Sequence, residues 1–216
     1  MKHWRAGLVG AVMALGIAGC GDGVSGRSEH YDYRMLYFRE HPAAAGSRLF
    51  IGDSHTEKMF SAVAAVTAYD PLYQSDTRFR SVFYDAGISG DDSAGVLERI
   101  DYHLSTNPSQ VVILIGTNDY LSKQYLANMR KIVAKVRNAG VSLSIVSILP
   151  RPPVETGGNE RVDGMNASLA ELCAEQGIPF VDINSLFRGD EEAFADSVHL
   201  KAHYYDELAA TLVSQL

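Results

Sequence analysis

Val111-Val112-Ile113-Leu114-Ile115 is an unbroken apolar run of strand length, and nothing else in the chain restricts its fold as tightly. A strand with one wet face alternates apolar and polar residues; a run without alternation is covered on both faces, as in the middle of a parallel sheet. Four further runs, Leu49 to Ile51, Ser81 to Tyr84, Leu143 to Leu149 and Phe180 to Ile183, predict companion strands. Between them fall residues at helical spacing: Met59, Val63 and Val66; Val96, Ile100 and Leu104; Tyr125, Met129, Ile132 and Val136. Leu208 and Leu212 close the chain on a last helix. This alternation implies right-handed crossovers, hence an α/β chain with a five-stranded parallel sheet between two layers of helices. At 216 residues and 46% hydrophobic content, one such domain is the expectation.

The N-terminus reads differently. Lys2 and Arg5 precede an apolar stretch from Ala6 to Ala18, too short to span a bilayer and built like the core of a secretory leader. It ends Ile17-Ala18-Gly19-Cys20, which resembles the bacterial lipobox, where the leader is cut before a cysteine that then carries lipid. The expected organisation is therefore a leader over 1–19, a lipidated Cys20 with tether and packing segment over 20–47, and the folded α/β domain over 48–216. A lipid anchor would hold the protein at the membrane on the periplasmic side of the envelope, the outer membrane being favoured because Gly21 stands where an inner-membrane retention aspartate would. Gly21 to Gly26 is Gly- and Ser-rich, as a flexible tether is, whereas Tyr31, Tyr33, Leu36, Tyr37 and Phe38 are expected to pack on the domain.

Without the leader, 17 basic residues face 26 acidic ones, a net charge of −9 that argues against nucleic acid as a partner. Cys173 is then the one cysteine left, so no internal disulfide forms; it shares a helix face with Met165, Leu169 and Leu172 and reads as a packed thiol.

Ligands of a parallel sheet bind beyond the carboxyl ends of its strands, and the polar motifs fall there. Ser54 follows the first strand, Gly90 the second, Asn118 the third, and Asp196 and His199 precede the last helix. A serine hydroxyl attacks an ester only when a base removes its proton, and imidazole suits that task near neutral pH. His199 is the candidate base and Asp196, three residues earlier, the carboxylate that would fix its tautomer. Taken alone, Asp196 and His199 are better explained as an exposed pair at a helix start. The negative charge that attack builds needs preset donors: the backbone N–H groups of Ser54 and Gly90 and the side-chain amide of Asn118. Glycine at 90 is expected to allow close backbone approach, and Asp53 to hold the turn of the nucleophile. The irregular stretch from Pro150 to Asp163 belongs to the same rim.

Gly52-Asp53-Ser54, Gly87-Ile88-Ser89-Gly90-Asp91, Gly116-Thr117-Asn118-Asp119 and Asp196-Ser197-Val198-His199-Leu200 resemble, in order, the four blocks of the SGNH hydrolases, the GDSL esterase and lipase family. The resemblance implies a three-layer α/β/α, flavodoxin-like fold that uses no metal and no cofactor. It implies Ser54 as nucleophile, His199 as base, Asp196 as its partner, and Ser54, Gly90 and Asn118 as the oxyanion hole. Two positions depart from the family pattern. His55 follows the serine, where leucine or isoleucine is common, and is similar in this to some polysaccharide O-acetyl-modifying relatives; Asp85 opens the second block, where asparagine is common. His55 and Arg151 are candidates for substrate contact, each weighed against a packing or solvated role, while His103 reads as a satisfied core histidine.

The expected activity is hydrolysis of short acyl esters, acetyl first, on an envelope or exported carbohydrate such as an acetylated polysaccharide. Transfer of the acyl group to a sugar hydroxyl and hydrolysis of lysophospholipids use the same triad and stand as alternatives. A non-catalytic envelope binding module is the alternative outside enzymes. Asp53-Ser54-His55 also fits the D-x-H opening of a binuclear metallophosphoesterase site, but the chain lacks the later G-N-H-E motif. The fifth position of a G-x-S-x-G elbow is Thr56, so that family is not indicated.

Overall fold

The computed structural model describes residues 28–66, 77–152 and 158–216. The leader, Cys20 and the tether lie outside the described residues. Five strands, β1 (Arg48–Gly52), β2 (Phe83–Gly87), β3 (Gln110–Leu114), β4 (Ser142–Val146) and β5 (Phe180–Val181), form one sheet in the order β2-β1-β3-β4-β5. Every pairing is parallel. The helices are α1 (Glu29–Glu40), α2 (Ser54–Val66), α3 (Thr77–Val82), α4 (Ser93–Leu104), α5 (Tyr125–Asn138), α6 (Gly158–Gln176), α7 (Asn184–Phe187) and α8 (Ala202–Gln215).

Strand residues alternate between two cores, as the two-residue period of a pleated strand requires. Leu49, Ile51, Val111 and Ile113 point to one face, against Val96 and Ile100 of α4, Met129 and Ile132 of α5 and Leu169 and Leu172 of α6. Phe50, Val112 and Leu114 point to the other, against Met59 of α2, Phe79 of α3 and Leu208 and Leu212 of α8. The three-layer α/β/α sandwich and the doubly covered third strand are as expected from the sequence. Cys173 is buried in the α6 core, and burial pushes its thiol up to about 11.

Three details correct the sequence reading. The second strand begins at Phe83, because Ser81 and Val82 finish α3, which runs into β2 without a break. The rim stretch after β4 is shorter than expected, since α6 already starts at Gly158; Asn159 ties that start to the loop by accepting from Arg151 N (2.9 Å) and donating to Arg151 O (2.7 Å). Residues 153–157 of the same stretch lie outside the described residues. The aromatic N-terminal segment packs by one face only: Tyr31, Arg34 and Phe38 of α1 are buried, while Tyr33, Leu36 and Tyr37 are 63%, 53% and 39% exposed.

Candidate active site

The sheet order explains how residues far apart in sequence meet. β1 lies between β2 and β3, with Gly52 in register with both Gly87 and Leu114, so the segments that follow these three strands emerge side by side. Gly52 is required for that convergence: a Cβ there would lie 2.0 Å from Leu114 O and 2.2 Å from Thr56 Oγ1. Ser54 opens α2 directly after β1, which leaves its backbone N–H among the unpaired donors of a helix N-terminus. Asp53 holds the turn, its Oδ1 accepting from His55 N at 2.9 Å.

The last site segment arrives from before α8. Phe194 and Leu200 form an antiparallel bridge, and Ala195 N donates to His199 O at 2.8 Å, so residues 195–199 make a closed loop. Within it Asp196 Oδ1 accepts from the N–H groups of Val198 (2.8 Å) and His199 (2.7 Å), and Asp196 Oδ2 lies 2.9 Å from His199 Nδ1. A carboxylate only accepts, so Nδ1 carries the hydrogen and Nε2 its lone pair. That lone pair is 2.9 Å from Ser54 Oγ, across 145 residues of sequence. Burial raises the pKa of Asp196, but the hydrogen bonds from His199 and Val198 outweigh it and hold the carboxyl below its ordinary value. The chain of contacts Ser54–His199–Asp196 can therefore move a proton off the serine hydroxyl and keep the resulting imidazolium paired.

The remaining polar blocks follow β2 and β3, the strands on either side of β1. Ile88 N donates to Gly52 O at 3.0 Å, tying the segment after β2 to the end of β1, and Asn118 Nδ2 donates to Asp91 O at 2.7 Å, tying the segment after β3 to that after β2. Gly90 stands at the exposed tip of this turn with φ +81°, and a Cβ there would meet nothing within 4 Å. The glycine is thus needed for its backbone angle, which L side chains rarely adopt.

Beneath these loops lies a buried polar network the sequence reading did not find. Arg99 is 2% exposed and donates to Asp91 Oδ2 (2.9 Å), Ala86 O (2.7 Å) and Gly52 O (3.1 Å), bracing the ends of β1 and β2 together. Its Nη1 also reaches His103 Nε2 at 3.1 Å, which makes His103 the satisfied core residue expected. Asp119 accepts from Ser93 N (2.8 Å) and Ser93 Oγ (2.5 Å), linking the loop after β3 to the start of α4. The available signal was that Arg99 falls on the same helix face as Val96 and Ile100, a charge where the apolar pattern leaves no room for one.

His55 is 1% exposed and does not face the cleft, which corrects its assignment to substrate contact. Its Nδ1 lies 3.0 Å from Tyr205 Oη of α8, and its ring centroid is 5.6 Å from that of His199. Burial, then the neighbouring His199, push its pKa down to about 3, so it stays neutral. Arg151 sits at the rim, where its Nη2 donates to Thr117 O at 3.0 Å and its guanidinium lies over the Tyr120 ring at 4.4 Å. With Asn159, Phe187, Asp190 and Phe194 it lines an open pocket of about 230 Å³ beside the loop that carries Asp196.

The chain belongs to the GDSL-like lipase/acylhydrolase family, the SGNH hydrolases, whose profile matches residues 50–206. A solved structure from Bacteroides fragilis, described as that of an acylhydrolase, has the same fold at a TM-score of 0.71 and 18% identity, covering 88% of this chain and 97% of that one. An acetylxylan esterase from Geobacillus stearothermophilus has it at 0.60 and 19% identity, covering 80% of this chain and 94% of that one. A curated N-acylneuraminate cytidylyltransferase from Streptococcus agalactiae is 24% identical over 112 residues, which cover 50% of this chain and 27% of that protein. The chain thus spans about a quarter of the length of the curated relatives it matches.

Proposed function

We propose that this protein is a serine esterase that hydrolyses short acyl esters, acetyl esters of a carbohydrate foremost, through an acyl-Ser54 intermediate. The observation that carries the reading is the continuous contact from Ser54 Oγ to His199 Nε2 to the Asp196 carboxylate. In this mechanism His199 takes the hydroxyl proton as Ser54 Oγ bonds to the ester carbonyl carbon. The carbonyl oxygen, now negative, is met by the N–H groups of Ser54 and Gly90 and the amide of Asn118. Collapse expels the alcohol, which receives the proton from His199. Water then attacks the acyl-serine with His199 again as base, releasing the acid and restoring the hydroxyl.

The carbohydrate preference has two supports. The acetylxylan esterase shares the fold, and the pocket that reaches Phe194, just before the loop of residues 195–199, brings the aromatic Phe187 and Phe194 together with the polar groups of Arg151, Asn159 and Asp190. That combination suits the alcohol part of a sugar ester, and gives Arg151 a role at the pocket wall. The lipobox-like Ile17-Ala18-Gly19-Cys20 supports an anchor at Cys20 and work in the cell envelope.

The test compares p-nitrophenyl acetate with longer acyl esters, in the wild type and in Ser54→Ala. Turnover is expected to fall with acyl length, and the variant to lose about a thousandfold or more in kcat. Equal turnover in Ser54→Ala would refute the assignment.

A further inference from the structure

We infer that α1, which precedes the residues shared with the family, acts as a strut that sets the oxyanion donor Gly90 through the Arg34–Glu57–Asp85 cluster, so that Arg34 is a positioning residue for catalysis. The inference rests on the esterase reading above and extends it to a part of the chain outside residues 50–206.

Arg34 points from the buried face of α1 at the carboxyl end of β2. Its Nε donates to Gly87 O at 3.0 Å and its Nη2 to Asp85 Oδ2 at 2.8 Å. Asp85 in turn accepts from Gly87 N through Oδ1 at 2.8 Å, so Arg34 and Asp85 clasp both backbone groups of Gly87. Three residues on, Gly90 is expected to aim its N–H at the reacting oxygen. Glu57 of α2 holds the point between them: its Oε2 accepts from Ser89 N at 2.6 Å, and the same carboxylate takes a hydrogen bond from His30 Nε2 of α1 at 2.9 Å. Arg34 Nε stands 3.9 Å from Glu57 Oε1. The guanidinium is also packed over the Phe38 ring at 4.7 Å, which fixes its plane. Gly87 is packed closely against the first turn of α2, where a Cβ on it would lie 2.5 Å from Glu57 N.

Two residues of α1, Arg34 directly and His30 through Glu57, therefore bear on the Gly87–Gly90 turn, and the turn's other flank is fixed by Arg99 through Asp91. The arrangement also accounts for the aspartate at 85, where asparagine is common in the family: a carboxylate is the better partner for a buried guanidinium. An oxyanion donor works by being in place beforehand, and a displacement of about 1 Å costs on the order of a hundredfold in rate.

The test uses the full chain with Arg34→Ala and Arg34→Lys, and Tyr33→Ala on the exposed face of α1 as control. Two readouts are taken: kcat and KM on p-nitrophenyl acetate, and amide hydrogen exchange of residues 87–91. Arg34→Ala should lose between about tenfold and a hundredfold in kcat with KM nearly unchanged, and its Ser89 and Gly90 amides should exchange faster. Arg34→Lys, which keeps the charge but not the fork, should fall between, and it decides the matter should Arg34→Ala fail to fold. Tyr33→Ala should match the wild type in both. Wild-type kcat and exchange in the Arg34 variants, with only a lower Tm, would overturn the inference. Exchange is read without substrate, so a wild type lacking esterase turnover would sink the esterase reading while leaving the strut to be judged by exchange alone.

Discussion

Asp53 keeps its carboxyl inside the protein, 1% exposed, with Oδ1 accepting from His55 N and Oδ2 without a hydrogen-bond partner among the described residues. Burial first, then the nearby Asp91 and Asp119 carboxylates, raise its pKa from 3.8 to about 7, against the opposing hydrogen bond from His55. Between those two values the folded chain holds a proton that the unfolded chain has released, so this group's contribution to stability falls as pH rises through that window. Asp119, raised to about 6 by burial, adds to the same slope. Asp53→Asn mimics the protonated form and keeps the Oδ1 acceptor. Urea unfolding should therefore find the variant close to wild type at about pH 4 and below, and more stable by roughly 1 to 4 kcal/mol at pH 8. A difference that does not grow with pH would show that Asp53 is ionised in the folded chain.

At the scale of elements, the junction of β1 with α2 is the tightest point of the site. Gly52 has no room for a methyl group, since its neighbours there are the Leu114 carbonyl oxygen on one side and the Thr56 hydroxyl on the other. One of those atoms belongs to backbone in a central strand and cannot yield cheaply. Gly52→Ala should cost about 3 kcal/mol or more in denaturant unfolding and separate the Ser54 segment from that of Asn118, so activity per folded molecule should drop as well. The four blocks and the strands before them were legible because each is a short local pattern whose meaning depends on its order. The start of β2 was not, because Ser81 and Val82 have the side chains of a strand while the chain is still in α3. Arg34, Asp85 and Glu57 were not legible either: they lie up to 51 residues apart, and no periodicity joins an arginine on one helix to a carboxylate at a strand end. His55 failed for a related reason, since its partner Tyr205 is 150 residues away on α8.

Across the whole molecule the nucleophile and its base come from opposite ends of the domain, and α8 is what joins them. Its carboxyl end is fixed to the foot of β1, where Arg48 Nη2 donates to Leu216 O at 2.5 Å, while Leu208 and Leu212 seat it on the sheet. Its amino end then delivers the loop of residues 195–199, already closed by its own backbone hydrogen bonds, to Ser54 at the head of the same strand. The geometry of the loop and the chemistry of Asp196 are therefore separable. In Asp196→Asn the retained Oδ1 still accepts from Val198 and His199, so the loop should stay closed and Tm should move by no more than a few degrees. The amide that replaces Oδ2 presents N–H to His199 Nδ1, which favours the tautomer with hydrogen on Nε2, facing Ser54. That form cannot take the hydroxyl proton, and kcat on p-nitrophenyl acetate should fall by about three to four orders of magnitude. Retention of kcat within about tenfold would mean that Asp196 serves the loop alone and that another group orients the base.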